Sequence, residues 1–407
     1  MTFDIDFVRA QFPAFLTPDG KNLAFFENAG GSYACVQVIA RLERFYRERK
    51  MQPYWPARPS KLGGAEMDEA RARLSKMMGI ETDELSFGPS TTQNTYVLSQ
   101  AFRQMMKEGE AIVVTNQDHE ANSGPWRRLA ETEVEVREWC VDHETGRLDI
   151  KDLENLLDDR VRLVCFPHCS NIIADINPVV EIIKTVHQVG AYTCVDGVSY
   201  APHGIPNVKD LGADIYLFSS YKTYGPHQGI MAITRDLAQK LPNQGHHFNA
   251  TNITKRFTPA GPDHAQIAAC AGIVDYFEAL HDHHFDENVA LSEKGKAVHD
   301  LVRACEEDLM QPLLDYITSK NSLRLLGPEK AQERAPTFAV KTQNSPRTIA
   351  ERLAERHIAV GADNFYGVRP LEAMGIDADE GVLRMSFVHY TSKSEILRLI
   401  NALDDII

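Results

Sequence analysis

Four short apolar runs constrain this chain more than anything else in it. Ala111 to Thr115 (AIVVT), Arg162 to Phe166 (RLVCF), Tyr192 to Val195 (YTCV) and Ile215 to Phe218 (IYLF) are rich in β-branched and aromatic residues. A strand with one wet face alternates apolar and polar residues; these do not, so they read as strands of a parallel sheet covered on both faces. Between the second and third, Pro178 to Val189 places Val180, Ile183 and Val186 at helical spacing and closes on Gly190. Strand, helix, strand in that order implies right-handed crossovers and a doubly wound α/β domain.

The flanks read differently. Val36 to Arg49 is expected to be a helix that follows an irregular N-terminal arm, and Ala265 to Leu280 and Val289 to Leu309 are further helical segments. Leu383 to Phe387 reads as a strand. Ser392-Lys-Ser-Glu395 is a capping box that opens an amphipathic helix through Ile396, Leu399, Ile400 and Leu403. The organisation expected is a large α/β domain over residues 32–265 and a smaller α+β domain built from 1–31 and 266–407. The 407 residues suit such a division.

Charge and apolar runs narrow the partners. With 43 basic against 57 acidic side chains the net charge is −14, which disfavours nucleic acid or an anionic membrane surface. No apolar run reaches the ~18 residues of a membrane span. The first ten residues, Met1 to Ala10, carry Asp4 and Asp6 and no basic stretch, so no leader is expected. Seven scattered cysteines make no disulfide framework, and a reduced, cytoplasmic protein is expected.

The ends of the strands hold the chemistry, since ligands of open α/β sheets bind outside the carboxyl ends of the strands. Lys222, in Phe218-Ser-Ser-Tyr-Lys222-Thr-Tyr-Gly-Pro226, lies four residues past one strand; taken alone it is an ordinary loop lysine. Asp196 ends another strand and by itself caps a turn. An acid and a lysine at one edge are, however, the pair that holds a pyridinium ring: the acid keeps the ring nitrogen protonated and the lysine forms a Schiff base with the aldehyde. Gln117-Asp-His119 offers an imidazole for stacking or proton transfer. Leu85-Ser-Phe87 runs into Gly88-Pro-Ser90-Thr91-Thr92, a hydroxyl-rich turn opening a helix over Tyr96 to Met105, where free N–H groups suit a phosphate. Neither GxxxxGK[ST] nor GxGxxG is present. Cys165, His168 and Cys169 have spacing compatible with a metal but read as small buried thiols beside a strand, and no metal is expected.

This order of strand ends resembles the fold-type I pyridoxal-phosphate enzymes, specifically the class V aminotransferase and cysteine desulfurase-like family, with its selenocysteine lyase, C–S lyase and isopenicillin N epimerase branches. Its most specific part is Asp196-Gly with His203, followed by Ser219-x-x-Lys222-x-x-Gly-Pro226. The resemblance implies pyridoxal 5'-phosphate on Lys222, with Asp196 against the ring nitrogen and His119 stacked on the ring. It implies Ser90, Thr91, Thr92, Ser219 and Tyr221 around the phosphate, and Asn171 near the ring and the substrate carboxylate. Arg384 matches the arginine that grips the α-carboxylate as a bidentate fork. Ser199 stands where many relatives have glutamine, a departure that leaves the ring hydroxyl contact open. Arg58 and the loop Gly361 to Gly367 match substrate-facing segments. A homodimer with shared active sites is implied as well. The relatives' Gly-Thr-Pro, whose threonine reaches the neighbouring phosphate, is absent from Phe257-Thr-Pro-Ala-Gly261; one of Thr251, Asn252 or Thr258 is the candidate substitute.

Desulfurases of the family attack sulfur with a cysteine on the loop before the arginine strand. Here His357 to Pro370 has no cysteine. The expectation is therefore a lyase that removes the α-proton with Lys222 and expels a sulfur-linked β-substituent, without a persulfide. Transamination or epimerisation on the same carbanion is the alternative; a desulfurase or a fold relative without catalysis ranks below both.

Overall fold

The computed structural model describes residues 3–407; Met1 and Thr2, the start of the N-terminal piece expected in the small domain, lie outside them. The first strand, β1 (Ala24–Phe26), stands apart from the next seven. These are β2 (Leu85–Gly88), β3 (Ala111–Thr115), β4 (Glu135–Trp139), β5 (Val161–Pro167), β6 (Tyr192–Asp196), β7 (Ile215–Ser219) and β8 (Gly229–Ile233). They form one sheet in the order β2-β8-β7-β6-β5-β3-β4. From β7 to β4 all neighbours are parallel, and β8 pairs antiparallel with both β7 and β2. The four runs that led the sequence analysis are its centre, every residue of β3 and β7 buried. Helix Val179–His187 makes the crossover from β5 to β6, and the chain turns at Gly190 with φ +75°.

Four more strands, β9 (Leu323–Leu325), β10 (Thr337–Thr342), β11 (Ile358–Asp363) and β12 (Val382–Ser386), join β1 in a second sheet ordered β1-β11-β12-β10-β9. β1 is parallel to β11 and the other pairs are antiparallel. The capping box at Ser392 forms, with Ser392 Oγ accepting from the Glu395 N–H at 3.2 Å, and the helix Lys393–Ile406 buries Ile396, Leu399 and Leu403 against this sheet. Helices His264–Ala269 and Ala271–His284 pack into the core of the seven-stranded sheet, as do Val8 and Phe12 of the N-terminal arm. Chain from both flanks thus borders the large sheet.

Several boundaries differ from expectation: Val289 to Leu309 is a helix over Leu291–Thr318, and Ala265 to Leu280 is two helices, His264–Ala269 and Ala271–His284. The helix expected over Tyr96 to Met105 begins at Thr91, because Ser90 caps it by accepting from the Gln93 N–H at 3.2 Å. Val36 to Arg49 is α-helical only to Arg44 and finishes in a wider turn over Phe45–Arg49. No helix among the described residues is long and apolar enough to cross a membrane.

Candidate active site

The carboxyl ends of β3, β6 and β7, the start of helix Thr91–Met105 and the second sheet meet around one cavity of about 590 Å³. Lys222, His119, Asn171, Tyr221, Thr92 and Arg384 line it, with Glu27 and Phe365. A narrower recess continues inward, bordered by Asp196, Ser199, Ser219, Thr91, Asp118 and Cys169, and Lys222 faces both spaces. Positions 91 to 222 are gathered because neighbouring strands of the large sheet end side by side, and Glu27 and Arg384 are added by the second sheet facing them.

Lys222 follows β7 by three residues, in a single tight turn, and is buried. Burial and the Arg384 charge lower its amine to about 8, with Asp196 and Glu27 opposing. About a tenth is therefore free amine at pH 7, several hundredfold more than for an ordinary lysine, competent as nucleophile or base. Asp196 ends β6, and its Oδ1 accepts from the Val198 N–H at 2.8 Å. Burial raises its carboxyl to about 6. Asp118 lies behind it, fully enclosed and accepting from the His119 N–H at 2.9 Å and from Asn122 Nδ2 at 2.7 Å. Burial and the Asp196 charge push Asp118 well above the usual carboxylate range. Two acids crowd one recess, an arrangement that a cation placed against Asp196 relieves.

His119 caps helix Glu120–Arg127, its Nδ1 accepting from the Ala121 N–H at 3.0 Å. Burial, then the charges of Lys222 and Arg384, lower the imidazole to about 3, so the ring is neutral. Thr91 Oγ1 and Ser219 Oγ stand 2.8 Å apart at the N-terminus of the 15-residue helix, beside Thr92. Tyr221 stacks on His227 at 4.8 Å and reaches the same end of the cavity. This cluster of hydroxyls and a helix N-terminus is an anion cradle.

The opposite wall comes from the second sheet. Arg384 of β12 is 3% exposed. Its Nη2 donates to Glu27 Oε1 at 2.5 Å, and the guanidinium lies over the Phe365 ring at 3.6 Å. Asn171 Nδ2 donates to the Phe365 carbonyl at 3.0 Å, while Asn171 Oδ1 and Arg384 Nε are buried without a partner. Phe365 and Tyr366 both adopt left-handed backbone, φ 52° and 57°, and the Glu120 N–H donates to the Tyr366 carbonyl at 3.0 Å.

Several expectations fall elsewhere. Arg58 is exposed at the first turn of helix Arg58–Met77 and does not line this chain's cavity, and neither do Thr251, Asn252 or Thr258. Ser90 serves as the helix cap. His168 is engaged within the fold: its Nδ1 pairs with the Tyr216 hydroxyl at 2.9 Å and its ring stacks on Tyr200 at 3.6 Å. Glu27 and Asp118 were missed, whereas Phe365 lies in the loop Gly361 to Gly367 expected to face the substrate. Asp118 was signalled by adjacency to His119 at a strand end; Glu27, next to Asn28-Ala-Gly-Gly31, gave no sign of its partner 357 residues away.

Comparison with known proteins gives a consistent answer. The family model for aminotransferase class-V matches residues 24–399. The aminotransferase-like protein FGM3 of Gibberella zeae is 31% identical over 99% of this chain and 98% of its own length. A cysteine desulfurase of Pectobacterium carotovorum is 28% identical over 100% of the chain and 98% of its own. Among solved structures, the apo cysteine desulfurase of Thermococcus onnurineus superimposes with a TM-score of 0.86 at 20% identity, covering 100% of this chain and 98% of that one.

Proposed function

This chain belongs to the class-V aminotransferase family of pyridoxal-phosphate enzymes of fold type I, and from that premise we propose that it is a lyase expelling a sulfur-linked β-substituent from a cysteine-derived amino acid. The recess fits the cofactor. Thr91, Thr92, Ser219 and Tyr221 would hold the phosphate, Asp196 the ring nitrogen, His119 a ring face and Lys222 the aldehyde carbon, with Ser199 and Asn171 at the ring's edge. Once bound, pyridoxal phosphate supplies an electron sink for the pair left at the α-carbon.

The remaining work falls to the protein's own groups. Arg384 and Asn171 hold the α-carboxylate, so that the α-hydrogen faces Lys222. Lys222 Nζ takes that proton. The Cβ–S bond then breaks with its electron pair leaving on sulfur, and no protein thiol takes part.

One observation carries the choice of elimination without persulfide: the loop that faces the cavity presents Phe365 and Tyr366 and no cysteine. Cys169 does border the recess, but its Sγ lies 3.4 Å from the Ala174 carbonyl and burial pushes its thiol up to about 12. A protonated, buried thiol is a poor nucleophile. Cys140, the exposed cysteine, follows β4 at the edge of the sheet, where burial and Glu138 raise its thiol.

The test is to incubate holoenzyme with L-cysteine and its S-substituted derivatives, follow sulfide or thiol, pyruvate and ammonia, and weigh the protein afterwards. Stoichiometric release with no added sulfur on the chain is expected. A persulfide on any of the seven cysteines overturns the reading, and accumulation of pyridoxamine phosphate, or racemised substrate, replaces it with transamination or epimerisation. We further propose that the enzyme works as a homodimer, in which Arg58, absent from the lining of its own cavity, serves the site across the interface; Tyr54 and Trp55 beside it are 56% and 62% exposed. Sedimentation of the holoenzyme as a monomer would remove that assignment.

A further inference from the structure

The end of the cavity assigned to the substrate carboxylate already contains a carboxylate. Glu27 directly follows β1 and bridges to Ser386 at the end of β12, which places its side chain along Arg384. The fold makes room for it. A Cβ on Gly30 would meet Glu27 Oε2 at 2.0 Å, and one on Gly361 would meet Glu27 Oε1 at 2.9 Å and the Phe365 ring at 2.6 Å. Two glycines therefore flank the same carboxylate. Arg384 is only partly satisfied beyond it: Nε has no partner and Nη1 makes a long contact of 3.4 Å to the Asn171 carbonyl.

We propose that Glu27 is an internal competitor for the substrate's α-carboxylate, seated on Arg384 Nη2 in the free enzyme and sharing or yielding that N–H when an amino acid binds. The inference rests on the carboxylate-binding role given to Arg384 above. Its physical basis is simple. A buried guanidinium without a counter-charge is costly, so the free enzyme supplies one. An incoming carboxylate then meets a cation already half neutralised and an anion beside it. Glu27 thereby weakens the hold on any carboxylate, and an amino acid must add contacts through its amine and side chain to be retained. It is a specificity-determining residue, with no bond made or broken on it.

The test uses holoenzyme and two probes: L-alanine, followed by the absorbance of the bound cofactor, and propionate, followed by its effect on thermal melting. In Glu27→Gln both dissociation constants should fall, about five- to tenfold for an ion pair of which only Glu27 reaches solvent. Melting without ligand should drop, while the rise produced by propionate should exceed that of the wild type. Gly30→Ala retains the charge but displaces the carboxylate, and should tighten propionate in the same direction. Constants that rise or stay put in both variants overturn the proposal and leave the cavity assignment intact. If Arg384→Ala binds propionate as well as the wild type does, the role of Arg384 fails, and this inference fails with it. A wild type with no cofactor band is failure of the underlying function.

Discussion

The two walls of the cavity are built on different principles. The inner wall, with Lys222, Asp196, Ser219 and Thr91, is made of strand ends, the tight turn after β7 and a capped helix start, all buried. The outer wall is made of Arg384, Glu27 and the Phe365–Tyr366 loop, held by one ion pair, a cation on a ring, and two consecutive non-glycine residues in left-handed backbone. Such backbone costs on the order of 1–3 kcal/mol per residue and persists only where surrounding contacts enforce it. The inner wall fixes a group in one pose; the outer wall holds its conformation by local contacts that a ligand can replace. Changes on the inner wall should therefore alter chemistry, and changes on the outer wall should alter affinity.

Lys222→Ala offers the largest effect. We expect loss of the borohydride-reducible cofactor adduct and a fall in turnover of at least about a thousandfold. Melting should be unchanged or raised, because a desolvated amine is removed from the interior. A pyridoxyl group found on another lysine after reduction breaks the inner wall as described. Asp196→Asn comes next: the cofactor stays bound while turnover falls on the order of a hundredfold or more, since a neutral amide no longer holds a cation at the ring nitrogen. The same variant should also relieve Asp118 of a neighbouring charge. Unchanged turnover would mean the carboxylate only caps its turn.

A smaller effect is set by pH. The amine of Lys222 is lowered to about 8 from the ordinary lysine value of 10.5, so folding disfavours its proton. That penalty is fully present below about pH 8 and is relieved as pH rises toward the unfolded value. The rate of cofactor attachment to apoenzyme should therefore climb with pH and level off just above 8. A plateau delayed to near 10.5 would describe a hydrated lysine and erase the contrast between the walls.

The contrast also explains what the sequence revealed. Asp196, Lys222 and Thr91 were legible because a buried strand is a continuous apolar run, and the residue after its end is placed by the sheet itself. Arg384 sits inside the segment that read as a strand, and only family resemblance pointed to its task; nothing in Leu383-Arg-Met-Ser-Phe387 announces Glu27. Pairings such as Glu27 with Arg384, or Asn171 with Phe365, join distant segments through loops, where no periodicity operates. Helix starts were also displaced, as at Thr91, because a serine cap recruits residues whose own helix propensity is low.

The smallest effect is the one that tests strain directly. Tyr366 is 73% exposed, left-handed at φ 57°, and its ring stands 5.5 Å from that of His119. Asparagine accepts left-handed backbone at little cost, because its short polar side chain bonds locally. The Tyr366 carbonyl accepts from Glu120, and that backbone bond is retained in Tyr366→Asn. Replacing an exposed ring sacrifices no core, so Tyr366→Asn should leave melting unchanged or raise stability by up to about 1 kcal/mol. The substrate loses one aromatic contact, worth about 0.5–1.5 kcal/mol, so KM should rise a few-fold with kcat unaltered. Lower stability would show that the ring, and not the backbone bonds to Asn171 and Glu120, holds the loop in place. A fall in kcat at constant KM would place Tyr366 in the chemical step and join the two walls into one.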